Sequence, residues 1–137
     1  MTGTQVADAL TRDFDFLRRF GLRVEESSVI EMGLVGPSEM LLWQGDGIEV
    51  RLVQGLGQEL APAALSINVA SPRGNFTYTD WVHYAAEAET PTAPSEPDQS
   101  YIAAMAARVR ASAEGELGKI LSGTVWIDVP TYRGPDD

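Results

Sequence analysis

The chain has 137 residues, 44% of them hydrophobic, which fits one ordinary globular domain. It contains no cysteine, which excludes disulfides, thiolate metal sites and cysteine nucleophiles. Its 20 acidic residues stand against 10 basic ones, a net charge of −10. This charge disfavours nucleic acid and anionic membrane as partners and favours a basic protein.

The first predicted element is a helix that ends near Gly21, where a C-capping glycine is expected. The apolar residues of this segment recur at steps of three and four, so that they fall on one face. They are Val6, Leu10, Phe14, Leu17 and Phe20.

From about residue 22 to residue 71 the apolar period changes to two, which predicts β-strands. Short glycine-bearing segments separate the apolar runs, and Gly45-Asp46-Gly47 is typical of a hairpin loop. That tripeptide lacks the alternating oxygen ligands of a calcium loop. We expect four strands in an antiparallel meander, with Gly74-Asn75 ending the sheet.

Two helices are predicted after the meander, over residues 80–88 and 98–121. Between them, residues 90–97 contain three prolines and predict an exposed, extended connector. Gly115 and Gly118 weaken the second half of the last helix and favour a bend.

Beyond that helix, residues 125–129 predict a fifth strand or a packed extended segment, and residues 130–137 a loose tail. The predicted fold is one α+β domain over residues 1–137. Its antiparallel meander of four to five strands carries the N-terminal helix and a long C-terminal helix on one face. The start of the chain shows no secretory signal and no apolar stretch is long enough to span a membrane, so we expect a cytoplasmic location.

The single histidine, His83, is the first candidate for chemistry, because Asp80 precedes it by three residues and could orient its imidazole. No G-x-S-x-G motif supplies a nucleophile, and a lone histidine near Trp81 and Tyr84 is more often structural. One imidazole without thiols is also a poor transition-metal site. We therefore predict no catalytic residue, no metal and no cofactor.

The acidic residues are concentrated in two segments without any Lys or Arg, residues 25–49 and residues 74–107. Such segments usually form a solvated surface, but they can also present carboxylates to a cationic active site, as inhibitors of nucleases do. A mimic of DNA would need a denser array. The residues predicted to bind a partner are Glu25, Glu26, Glu31, Glu39, Asp46 and Glu49, with Trp43 as a hydrophobic anchor.

The role of Trp43 depends on the register of its strand. If Met40 and Leu42 face the helices, Leu41 and Trp43 point to the opposite face and are available. A slip of one residue reverses this assignment.

The end of the first helix, Phe14-Asp15-Phe16-Leu17-Arg18-Arg19-Phe20-Gly21, leads into a short-turn meander and a late helix. This layout, mainly over residues 6–70, resembles small bacterial α+β proteins common in actinobacteria, some of which look like immunity proteins of toxin systems. The resemblance implies a non-enzymatic, intracellular, partner-binding protein, and it carries over no functional residue.

The predicted function is a non-catalytic acidic binding protein, most plausibly an immunity-type or other inhibitor that engages a basic protein surface. The first alternative is an accessory or assembly protein that forms a homodimer, or docks on a larger complex, through its sheet face. The second alternative is a small enzyme that uses His83.

Overall fold

A capping box begins the first helix, α1 (Gly3–Asp13), in the computed structural model, which describes residues 1–33, 36–57, 62–85 and 90–126. The Thr2 hydroxyl accepts a hydrogen bond from the Gln5 amide (3.2 Å), and the Gln5 side-chain oxygen accepts one from the Thr2 amide (2.7 Å). A 3-10 helix (Asp15–Phe20) follows and ends at Gly21, whose φ of 80° is left-handed. The predicted N-terminal helix is thus an α-helix continued by a 3-10 helix.

Within the described residues, five antiparallel strands form one sheet in the order β1-β2-β3-β4-β5. They are β1 (Arg23–Glu31), β2 (Pro37–Gln44), β3 (Glu49–Gly55), β4 (Leu65–Ser71) and β5 (Gly74–Thr77). This order confirms the predicted antiparallel meander within an α+β fold. The fifth strand lies at Gly74–Thr77, where we expected the sheet to end. Of the segment predicted as a fifth strand, Val125 and Trp126 are not in a strand, and residues 127–129 lie outside the described residues.

One face of the sheet, called the helix face below, is the side on which the helices pack. A row of four paired residues crosses β2 to β5 on this face: Trp43, Val50, Val69 and Phe76. All four are at most 2% exposed and belong to one apolar cluster with the buried apolar residues of the helices. Burying such side chains is the main source of the stability of the fold.

In the part of the chain that the structure describes, three helices follow the sheet: α2 (Tyr78–Ala85), α3 (Gln99–Ala113) and α4 (Glu116–Leu121). The single long helix predicted over residues 98–121 is therefore divided in two. The division falls at Gly115, whose φ of −119° and ψ of −130° are not helical. Gly118 then brings α4 so close to α3 that any Cβ at this position would overlap the carbonyl oxygen of Ala113.

Buried hydrogen bonds join the helices to one another and to the sheet. The hydroxyls of Tyr78 and Ser112 lie 3.0 Å apart and link α2 to α3. The Tyr101 hydroxyl accepts a hydrogen bond of 3.1 Å from the Leu65 amide, which fixes α3 against the start of β4. Because unpaired polar atoms are costly in a core, these bonds fix where α3 lies.

The proline-rich connector has no helix or strand, as predicted, but it is packed and not fully exposed. The Pro94 carbonyl accepts a hydrogen bond of 2.8 Å from the Ala63 amide, and Pro97 is buried. Gly57, at a φ of 84°, lies so close that a Cβ there would be 2.9 Å from the Ser95 carbonyl oxygen. The predicted loose tail, residues 130–137, lies outside the described residues.

Candidate functional site

The opposite face of the sheet is called the free face below. It carries the side chains that alternate, along each strand, with those of the helix face. Its central residues are Met40, Leu42, Arg51, Val53 and Asn68. The buried apolar side chains of the described helices, the 3-10 helix included, belong to the cluster on the helix face, so none of these helices covers the free face. Met40 and Val53 lie outside that cluster although they are only 8% and 6% exposed.

A cavity of about 440 Å³ opens on the free face. Its lining residues are Ile30, Met32, Glu49, Arg51, Val53, Asn68, Ala70, Asn75, Phe76, Thr77 and Asp80. These residues come from β1 and Met32 just after it, from β3, β4 and β5, and from the start of α2, so opposite corners of the twisted sheet contribute to one concave surface. Ile30, Met32, Val53 and Ala70 give this surface apolar area, and a volume of this size is typical of binding clefts.

Among the described residues that line the cavity, Arg51 is the one cation. Its guanidinium lies 2.8 Å from the Glu49 carboxylate, which offsets its charge. The Asp80 carboxylate accepts hydrogen bonds from the Thr77 amide (3.1 Å) and the Thr77 hydroxyl (2.8 Å), and it has no ion pair with any described residue. The cavity thus contains one arginine and two fixed carboxylates, which favours a cationic ligand over an anionic one.

The six acidic residues predicted to bind a partner do not share one surface. Glu26 and Glu49 are on the free face, since Glu26 pairs with Leu42 and Glu49 with Ala70. Glu31, opposite Pro37, lies at the other end of the sheet from the β2–β3 hairpin.

Two more of these acids lie near the hairpin end. Asp46 is exposed in the hairpin loop, and Glu25 is at a β-bulge beside Arg23, whose guanidinium is 3.7 Å from its carboxylate. Arg23 pairs with Gln44, the residue that ends β2. Counting acids along the chain therefore did not reveal a single acidic face.

Glu39 is not a surface residue. It is 5% exposed on the helix face, where its carboxylate accepts a hydrogen bond of 3.1 Å from the Ser27 hydroxyl. Its predicted role in binding a partner is wrong because the start of α1 covers it: a Cβ on Gly3 would lie 3.0 Å from its Oε2.

The predicted orientation of Trp43 is also wrong. Trp43 and Leu41 are on the helix face, 0% and 1% exposed, while Leu42 lies on the free face. The Arg18 guanidinium lies 5.4 Å from the centre of the Trp43 ring, on the helix side of the sheet. Trp43 is therefore a core residue and is not available as an anchor for a partner.

His83 is exposed on α2, and its imidazole has no hydrogen bond or ion pair with any described residue. The carboxylate that could orient it, that of Asp80, is instead directed to Thr77. The described part of the chain thus contains no Asp80–His83 dyad. Within the same residues, no group of three or more His, Cys, Asp or Glu is arranged to hold a metal ion.

The residues of the cavity were not predicted as a site. Ile30 and Met32 lie in the segment whose apolar period of two predicts a strand, but only the twist of the sheet brings them to the cavity of Arg51 and Asn68. One signal was present in the sequence: Ser66, Asn68 and Ala70 alternate with buried residues and mark a face of β4 left without a core.

No protein family, curated protein or solved structure matches the chain. The resemblance to immunity-type proteins therefore stays a prediction. Within residues 1–33, 36–57, 62–85 and 90–126, no helix combines the length and the apolar character needed to cross a membrane.

Proposed function

We propose that this chain is a non-catalytic binding protein that takes a basic, partly apolar segment of a protein partner on its free face. The observation that carries this proposal is the cavity of about 440 Å³, in which apolar side chains lie beside the Asp80 carboxylate, which has no ion pair within the described part of the chain. An immunity-type inhibitor of an enzyme with a cationic active site would be one form of such a protein.

The chemistry of the cavity supports a cationic partner. Ile30, Val53 and Ala70 can contact the aliphatic parts of lysine and arginine side chains, while Asp80 and Glu49 attract their charged ends. Because the whole chain has a net charge of −10, its long-range field would draw a basic partner in and repel an acidic one.

A homodimer through the free face remains the alternative function. Met32, which lines the cavity and is 43% exposed, favours some form of association through this face. Two copies placed face to face, however, would bring together the like charges of Glu26 and of Glu49. A basic partner avoids this repulsion, so we place the homodimer second.

The proposal can be tested with an isotope-labelled sample of the whole chain and two synthetic peptides. One peptide alternates lysine and valine, and the control peptide has glutamate in place of each lysine. We expect the lysine peptide alone to shift the backbone amide signals of Arg51, Val53 and Asn68 at low ionic strength. Added salt should weaken this binding, because screening reduces the attraction between exposed charges.

A titration in which both peptides bind equally, or in which shifts are confined to the helices, would overturn the proposal. Sedimentation of the protein alone distinguishes the alternative function. A stable dimer that the variant Arg51→Glu, at an exposed position of the free face, abolishes while the chain stays folded by circular dichroism would favour the homodimer through the free face.

A further inference from the structure

The strand β1 is an open edge of the sheet. It is the first strand in the sheet order, and no strand among the described residues pairs with its outer side. None of its nine residues is buried. The other edge differs, because β5 has only four residues and the Trp126 ring packs against Phe76 with ring centres 5.6 Å apart.

Part of β1 is regular enough for a further strand to pair with its outer side. A bulge interrupts its pairing with β2 between Val24 and Glu26, but from Glu26 to Glu31 the six residues pair in unbroken register with Leu42 to Pro37. The outer backbone groups of such a strand can form a ladder with an added extended segment.

The charges on this stretch indicate what such a segment should contain. Glu26 and Glu31 are exposed at its two ends and have no ion pair with any described residue. Between them lies Val29, which is 59% exposed. A second copy of β1 would place like charges side by side, whereas a basic segment would be attracted.

We propose that a basic partner binds as an extra strand along β1, paired with residues 26–31, with cationic side chains beside Glu26 and Glu31 and an apolar one beside Val29. This inference rests on the proposed function and specifies how the partner is held. Ile30 and Met32 line the cavity of the free face, so the added strand would lie next to that cavity and could extend into it.

The experiment uses a nine-residue peptide that places a lysine opposite each of Glu26 and Glu31 and valines opposite Val29 and Ile30. A second peptide of the same sequence is methylated on alternate backbone nitrogens. Methylation removes the N–H groups that would donate hydrogen bonds to β1, and it keeps every charge. Affinity is measured by fluorescence anisotropy, and hydrogen exchange of the β1 amides is followed by NMR. We expect saturating peptide to slow the exchange of outward-facing β1 amides roughly tenfold or more, and methylation to weaken binding by a similar factor.

Charge-matched variants supply the control on the protein side. Glu26→Lys with Glu31→Lys should weaken binding of the unmethylated peptide roughly tenfold or more. Glu114→Lys with Glu116→Lys makes the same change of net charge at exposed positions where α3 ends and α4 begins, outside β1, and should weaken it only a few-fold.

The outcomes separate this inference from the proposed function. If the lysine peptides shift the signals of Arg51, Val53 and Asn68 while β1 exchange stays unchanged and methylation has no effect, strand addition is overturned and the proposed function stands. If no lysine-containing peptide binds at low ionic strength, both fall. An equal loss of affinity in the two charge-matched double variants would also overturn strand addition, since net charge alone would then explain it.

Discussion

The carboxylate of Glu39 lies beside Gly3, the first residue of α1. A methyl group on Gly3 would come within 3.0 Å of the Glu39 Oε2, so the two residues are in contact distance. The positive end of the helix dipole lies at this position, and it stabilises a buried negative charge. Together with the hydrogen bond from Ser27, this contact explains why a glutamate is buried beneath a helix.

We therefore expect Glu39→Ala to lower the free energy of unfolding by about 1–3 kcal/mol, because a buried charged hydrogen bond and its interaction with α1 are lost. Urea denaturation measures this change. Glu114 is exposed and has no ion pair with any described residue, so it provides the control. The free energy of unfolding of Glu114→Ala should stay within about 0.5 kcal/mol of that of the parent chain. Equal stabilities of the two variants would show that Glu39 is not held as described.

The close approach of α3 and α4 gives a second prediction. Gly118→Ala should lower the free energy of unfolding by about 2 kcal/mol or more, because the added methyl group overlaps the backbone carbonyl of Ala113, which cannot move without shifting α3. Lys119→Ala, at the adjacent exposed position, removes only a surface ion pair with Glu116 and should cost about 0.5 kcal/mol. Thermal unfolding of both variants by circular dichroism tests this. A neutral Gly118→Ala would contradict the close contact.

The register of β2 is testable with two adjacent leucines. Leu41→Ala should cost about 2–5 kcal/mol, because Leu41 is fully buried on the helix face. Leu42→Ala should cost less than half as much, since Leu42 is only partly buried on the free face. The two free energies of unfolding are compared by chemical denaturation, and the reverse order would mean that the strand is turned over.

A single substitution in the cavity tests the electrostatic basis of binding. Asn68→Lys adds a positive charge beside Arg51, its partner across β3 and β4, and should weaken binding of the lysine–valine peptide roughly fivefold or more. Ala107→Lys, exposed on α3, adds the same charge away from the free face and should have a smaller effect. Anisotropy titrations at matched ionic strength provide the comparison, and unfolding curves check that both variants stay folded. Equal affinities for the two variants would remove the cavity from the binding surface.

The helix and the strands whose apolar residues follow a regular period could be predicted from the sequence. The step of three and four from Val6 onward indicated α1, and the alternation around β3 and β4 indicated the meander. Residues 40–43, by contrast, are apolar on both faces of β2, so alternation could not tell which side faces the helices. The contacts of Trp43 with the helix side decided that question, and these are tertiary.

The difference between local sequence patterns and tertiary contacts also explains what could be predicted of the site. The excess of acidic residues was visible in the sequence, and so was the polar face of β4 at Asn68. Which acids share a surface depends on strand register, and Glu39 shows that an acid can be turned inward where a helix end receives it. The cavity depends on the twist of the sheet, which brings residues of β1 and β5, far apart in the chain, to the lining of one cavity.

The packing of α1 on both β2 and α3 also has a consequence for synthesis of the chain on the ribosome. The strands pair only with their neighbours in sequence, so the sheet can close as each hairpin emerges. The apolar face of α1, with Val6 and Leu10, is made before the sheet but is fully covered only after Gln99–Ala113 has been translated. A nascent chain that stalls before residue 99 would therefore expose that face, which makes the incomplete protein a target for chaperones and for aggregation.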